Sequence, residues 1–266
     1  MAENDSGKIP VMQCVGDAYA FAFANWGQFA PAAAIVGVLG AATVLLNDTP
    51  IASLILMLVG TLAGAAFTAS VLRKQLRGEV RGIAGLTVGE DEFRLIAAEF
   101  LIGLMFVPVF FLLLMVGGAV LFGRLGLSES ELETLNTDPV ALRAALASVV
   151  SAADIIWLAL IALPIAFVAA KFALVAPATI GERKLMILQT WSWTKGNTWR
   201  VVGAVALASI PVVFVSGLAM AFIEWSAASQ ASVAVVASLG LANFVAAVAR
   251  IPLIALSGIL YNGLRP

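Results

Sequence analysis

The chain has 266 residues, 62% of them hydrophobic and 12% charged, with a mean hydropathy of +1.03 and a formal charge of −1. Soluble domains average about 45–50% apolar and about 25% charged residues, so this composition is that of an integral membrane protein. The near-neutral charge argues against a nucleic-acid partner. The absence of histidine excludes imidazole acid–base chemistry and imidazole-ligated metals, and a single cysteine, Cys14, excludes an intrachain disulfide.

Met1 to Pro10 carries Glu3, Asp5 and Lys8 and lacks the basic-then-apolar pattern of a cleavable signal, so the first span is read as an uncleaved targeting signal. Six apolar runs of about 20 residues each predict a spanning helix: 29–46, 51–72, 95–122, 150–174, 200–223 and 233–259. Asn47-Asp48-Thr49-Pro50 joins the first two as a tight hairpin. Arg73, Lys74, Arg77, Arg81 and Arg94 follow the second run, and Arg183, Lys184, Lys195 and Arg200 follow the fourth. The opposite loops are poor in bases, so both termini are expected on the cytoplasmic side. Gly123 to Ser148 forms the longest outer segment. There Ser128 with Glu131, and Asp138 before Pro139, predict helix starts within a small lid.

Lys171 to Arg200 is too polar to span and too apolar to stand free. Pro177 and Gly181 are expected to break the preceding helix, with a short helix over Glu182 to Thr194 ended by Lys195-Gly196-Asn197. Indole rings favour the headgroup level and lysine favours the cytoplasmic face. Trp191, Trp193, Trp199 and Lys195, with Trp26 and Tyr261 elsewhere, are therefore read as interfacial anchors. Val15-Gly16-Asp17, Val88-Gly89-Glu90 and Ile180-Gly181-Glu182 each open an apolar and aromatic segment. They suggest one membrane domain, 1–266, built from three parallel units at 11–72, 85–174 and 178–261. The alternative is that helices lying on membranes simply look alike.

Charges inside spans are costly, so Arg250, Glu99, Asp154 and Lys171 are the candidate intramembrane site residues. Arg250 lies about 15 Å in from Tyr261 by helical rise. It reads as an anion or lipid-phosphate ligand, as half of a gating pair, as a structural ion pair with Glu99, or as a snorkelling side chain. Lys171 is explained by snorkelling alone. Pro31, Pro108, Pro164, Pro211 and Pro252 interrupt five runs and line binding sites in transporters, although in many bundles such breaks only shape packing. Gly60-x-x-x-Gly64 lets another backbone approach closely, favouring an internal helix contact over a dimer, and Gly37-x-x-Gly40 reads as a packing feature. No catalytic triad, metal-ligand or phosphate-loop pattern occurs, and no cofactor is expected.

Lys171-Phe172-Ala173-Leu174-Val175-Ala176-Pro177, then Thr190 to Asn197, resemble the glycerophosphodiester phosphodiesterase membrane-domain family and its stand-alone bacterial relatives. Tyr261-Asn262-Gly263-Leu264-Arg265 looks like that family's closing motif, and Asn25-Trp26-Gly27 like the turn ending its opening amphipathic helix. The resemblance implies a bacterial six-span inner-membrane protein. Some relatives carry a catalytic phosphodiesterase domain. This sequence ends at Pro266 without one and lacks the histidines of that chemistry, so the activity is not expected to carry over.

The resulting expectation is an all-α, polytopic membrane protein with six spans, N-in and C-in, and cytoplasmic interfacial amphipathic helices. Its expected role is non-enzymatic, organising membrane lipids or other inner-membrane proteins through a basic, Trp-rich face. The alternative is a transporter or flippase of a small amphiphile or anion, built on Arg250 and the proline-broken helices.

Overall fold

The computed structural model describes residues 8–46, 48–82, 85–125, 163–228 and 232–266, together with Ala141 and Ser151. Asp154 and the predicted outer helix starts at Ser128 and Asp138 lie outside the described residues. The helices are α1 (Val11–Leu45), α2 (Pro50–Arg77), α3 (Glu90–Leu125), α4 (Val175–Glu182), α5 (Gln189–Trp193), α6 (Thr198–Ala228), α7 (Ser232–Ala249) and α8 (Ile251–Leu264). Residues 163–172 are also helical and lead into α4.

Five described segments are long and apolar enough to cross a membrane: Val11–Leu45, Pro50–Arg77, Leu163–Glu182, Thr198–Ile223 and Val236–Leu264. This is an all-helical, multi-pass membrane architecture. The remaining predicted run, 95–122, lies within α3. The chain divides into two compact units, one of residues 1–99 with 169–266 and one of residues 100–168. In the second unit the described side chains of Phe100, Leu104, Phe111, Leu112 and Met115 are exposed, giving an apolar surface suited to lipid.

The first unit buries its core at the end that carries both termini. Ile9, Cys14 and Ala18 pack there with Leu174 and Ala178, with Val201 and Ala204, and with Leu256, Leu260 and Tyr261. A second cluster joins Phe29 and Ala33 of α1 to Phe67 and Val71 of α2 and to Ile251 of α8. A third joins Leu72, Leu95 and Ile180. Towards the α1–α2 hairpin the outward residues are aliphatic and exposed, including Val38, Ile51, Leu54 and Leu58. Pro50 starts α2 at a position where its missing N–H leaves no bond unmade.

The local structure corrects several expectations. The opening helix and the first span form one helix, and Asn25-Trp26-Gly27 makes no turn. Asn25 instead donates through its side chain to the Phe21 carbonyl one turn back. The break before α4 falls at residues 173–174. Pro177 is the third residue of α4, where a missing N–H costs nothing, and Gly181 lies inside that helix. A Cβ on Gly181 would stand 2.7 Å from the Tyr261 hydroxyl, so packing requires glycine there. In place of a helix over 182–194, α4 ends at Arg183 in the left-handed conformation and only α5 follows. The last run is interrupted at Arg250, with Pro252 seated in the first turn of α8. Among the described residues Gly60 and Gly64 make no close helix contact, since a Cβ on either meets no atom within 4 Å. Gly37 does make one: a Cβ there would fall 2.7 Å from the Phe244 backbone nitrogen, so α1 and α7 touch backbone to backbone. The three Gly-acid triplets occupy three contexts, inside α1, just before α3 and at the end of α4.

Candidate functional site

Two cavities of opposite character lie in the first unit. The larger, about 470 Å³, is walled by Tyr19 and Trp26 of α1, Pro211 and Val215 of α6, Val248 of α7 and Pro252 of α8, with other apolar neighbours. Its size is that of a small-molecule pocket. The Tyr19 hydroxyl donates to the Ala208 carbonyl at 2.8 Å, which satisfies the polar end of this side chain and leaves its ring to the wall. Ala249 and Ile251, on either side of Arg250, both contribute to the lining. The exposed Arg250 itself does not.

The smaller cavity, about 350 Å³, is polar and lies where α2 ends and α3 begins. Its wall carries Arg73, Arg77, Arg81, Arg94 and Arg183 against Glu90, Asp91 and Glu92. Arg73 and Glu92 are almost wholly buried and form a charge-assisted pair, with Thr87 bonded to both. Arg77 donates to Asp91 at 3.1 Å and, through its other terminal nitrogen, to the Ile180 carbonyl. This ties α2 and α3 to α4. Arg94 holds Glu90 one turn back and lies 3.5 Å from Asp91. The buried Arg73 Nε–H has no acceptor among the described residues.

The sequence-derived site residues are dispersed over this framework. Glu99 and Arg250 feel each other's charge, yet they form no ion pair within 4 Å among the described residues. Lys171 is buried, with its ammonium 5.7 Å from the Trp191 ring centroid, within reach of a cation–π contact. Trp191 in turn packs edge-on against Phe172. Trp26 and Trp199 are more than half exposed, and Lys195 is exposed. Trp193 packs against Tyr261 at 5.9 Å. Tyr261 is buried and donates to the Glu182 carboxylate at 2.8 Å, so its hydroxyl is held by the protein.

Sequence reasoning assigned Arg73, Arg77 and Arg94 to a basic loop and did not see a site. The signal present was the four-residue spacing of Arg73 and Arg77, opposite Glu90-Asp91-Glu92 at the next helix start. It also missed the clamp on the N-terminal segment. Asn197 accepts from the Ile9 amide at 3.1 Å, and Arg200 donates to the Ile9 carbonyl at 2.9 Å. Compared with protein families, curated proteins and solved structures, the chain shows no significant match.

Proposed function

We propose that this is a non-enzymatic, six-span inner-membrane protein, with both termini cytoplasmic, that organises membrane lipid by holding an acyl chain in the apolar cavity between α1, α6, α7 and α8. The observation carrying this reading is the cavity itself: its wall is apolar, its volume is about 470 Å³, and it lies among helices suited to span a membrane. A chain moving from bilayer to cavity exchanges one apolar surrounding for another, so retention rests on shape and dispersion contact rather than on hydrophobic transfer. Exposed Trp26 on the wall, and Trp191 and Trp199 elsewhere, supply the amphipathic rings that favour the headgroup level.

The test is reconstitution with a phospholipid carrying a photoreactive group in its acyl chain. Cross-links should concentrate on residues 211–215 and 244–252 and fall when Val248→Trp fills the cavity. An even spread that includes the exposed α2 face from Ile51 to Leu58 would overturn the reading. A second reading, a transporter or flippase of a small amphiphile, is favoured by one observation. Pro211 and Pro252 both line the cavity, beside the helix break at Arg250. Movement of a labelled amphiphile across sealed vesicles, abolished by Val248→Trp, would favour it over static lipid binding.

A further inference from the structure

We propose that the arginine-walled cavity formed by the ends of α2 and α4 and the start of α3 binds a phosphate group, presented by an anionic lipid headgroup or by a free phosphate compound. Charge is the first ground. Five arginines and three carboxylates line the wall, a surplus of two positive charges in about 350 Å³. Glu92, Asp91 and Glu90 are engaged by Arg73, Arg77 and Arg94. Arg81 pairs with Glu79 in a partly exposed contact, the kind an arriving anion displaces with little loss. Arg183 has no carboxylate partner among the described residues.

The second ground is Arg73. It lines the cavity at 2% exposure, and its Nε–H lacks an acceptor among the described residues although both terminal nitrogens are bonded. A buried guanidinium N–H left without a partner is uncommon and marks a place for an acceptor oxygen. Arg183 also belongs to the wall, where it ends α4 in the left-handed conformation common at helix C-termini. Planar guanidinium groups match phosphate oxygens in pairs, which a lysine cluster of equal charge does not. The carboxylates hold Arg73, Arg77 and Arg94 in place beforehand, so little side-chain ordering remains for binding. The site shares no wall residue with the apolar cavity and stands whether or not that cavity takes a lipid chain.

The experiment uses the full chain in nanodiscs of phosphatidylcholine alone or with phosphatidic acid, with and without inorganic phosphate, and reads Tm at fixed ionic strength. The variant Arg81→Gln/Arg183→Gln leaves the buried pairs intact and should melt like the parent in phosphatidylcholine alone, without phosphatidic acid or inorganic phosphate. A rise in Tm with inorganic phosphate, and an affinity weakened about tenfold or more in the variant, supports a site for free phosphate compounds. A rise seen only with phosphatidic acid, and lost in the variant, assigns the site to a lipid headgroup. No rise with either ligand, or an equal rise in parent and variant, would overturn the proposal and leave the cluster a structural clamp.

Discussion

Arg73 and Glu92 are buried to about the same degree, and each supplies the charge the other needs in a medium that solvates neither. Removing one partner strands a charge, which typically costs about 3–5 kcal/mol, whereas replacing both by apolar groups of similar size is often near neutral. Arg73→Met should therefore lower Tm sharply, and Arg73→Met with Glu92→Leu should recover most of the loss. A double-mutant cycle in detergent measures this; strictly additive losses would remove the pairing account. The same cycle on Arg250 and Glu99 should give a much smaller coupling, below about 1 kcal/mol, the range of exposed pairs. These two residues are close enough to interact and too far apart to form an ion pair. Tyr261→Phe removes a hydroxyl donated to a carboxylate and should cost about 1.5–3 kcal/mol, read as a drop in the unfolding free energy.

Several helices are longer than a membrane needs. At about 1.5 Å per residue the 35-residue α1 is about 52 Å long, while a hydrocarbon core is about 30 Å thick. The excess is accounted for at the termini-bearing end, where Cys14 and Ala18 pack into the core while Gln13 and Asp17 remain exposed. In α1 the outward residues change from mixed to wholly apolar beyond Gln28. The 18-residue α7, about 27 Å long, nearly matches the hydrocarbon by itself. In a Cys14→Ser background, a membrane-impermeant thiol reagent applied to the termini side should label Asp17→Cys and spare Val38→Cys. Equal protection of both would place all of α1 in lipid. Gly37 offers a second measurement on the same helix. Gly37→Leu must push α1 and α7 apart and should destabilise by about 1–3 kcal/mol or more, whereas Gly60→Leu meets no close contact among the described residues and should leave Tm nearly unchanged.

At the scale of the whole molecule, the positions of lysine and arginine predict which side each loop occupies. Reporter fusions after Gly82 and Gly196 should report cytoplasm, and fusions after Thr49 and Glu133 the opposite side. A cytoplasmic signal at Glu133 would remove α3 from the set of spans and end the six-span arrangement. The first unit joins its elements through contacts distant in sequence. Ile9 meets Asn197 and Arg200, Arg77 meets Ile180, and Gln75 donates to the Ala255 carbonyl at 2.7 Å. The stretch read as a helix lying on the membrane is thereby built into the packed end of this unit, with Thr190, Thr194 and Asn197 buried and Trp191 and Trp199 outward.

What the amino-acid order determined by itself was the class: helices, several of them able to span, a tight turn at Asp48-Thr49-Pro50, and no residues for imidazole chemistry. Those properties follow from local hydropathy and from backbone preferences that act over a few residues. Where the helices end was decided by tertiary structure. Gly181 is a turn-forming residue, yet its packing against Tyr261 outweighs a propensity cost of about 1 kcal/mol. The helix instead breaks at 173–174, which no local signal marked, and at Arg250, which Pro252 did mark. The arginine cavity was likewise illegible, because Arg73, Glu92 and Arg183 converge only once α2, α3 and α4 have packed. Sequence spacing fixes which residues share a helix face; which faces meet is set by the packing of elements far apart in the chain.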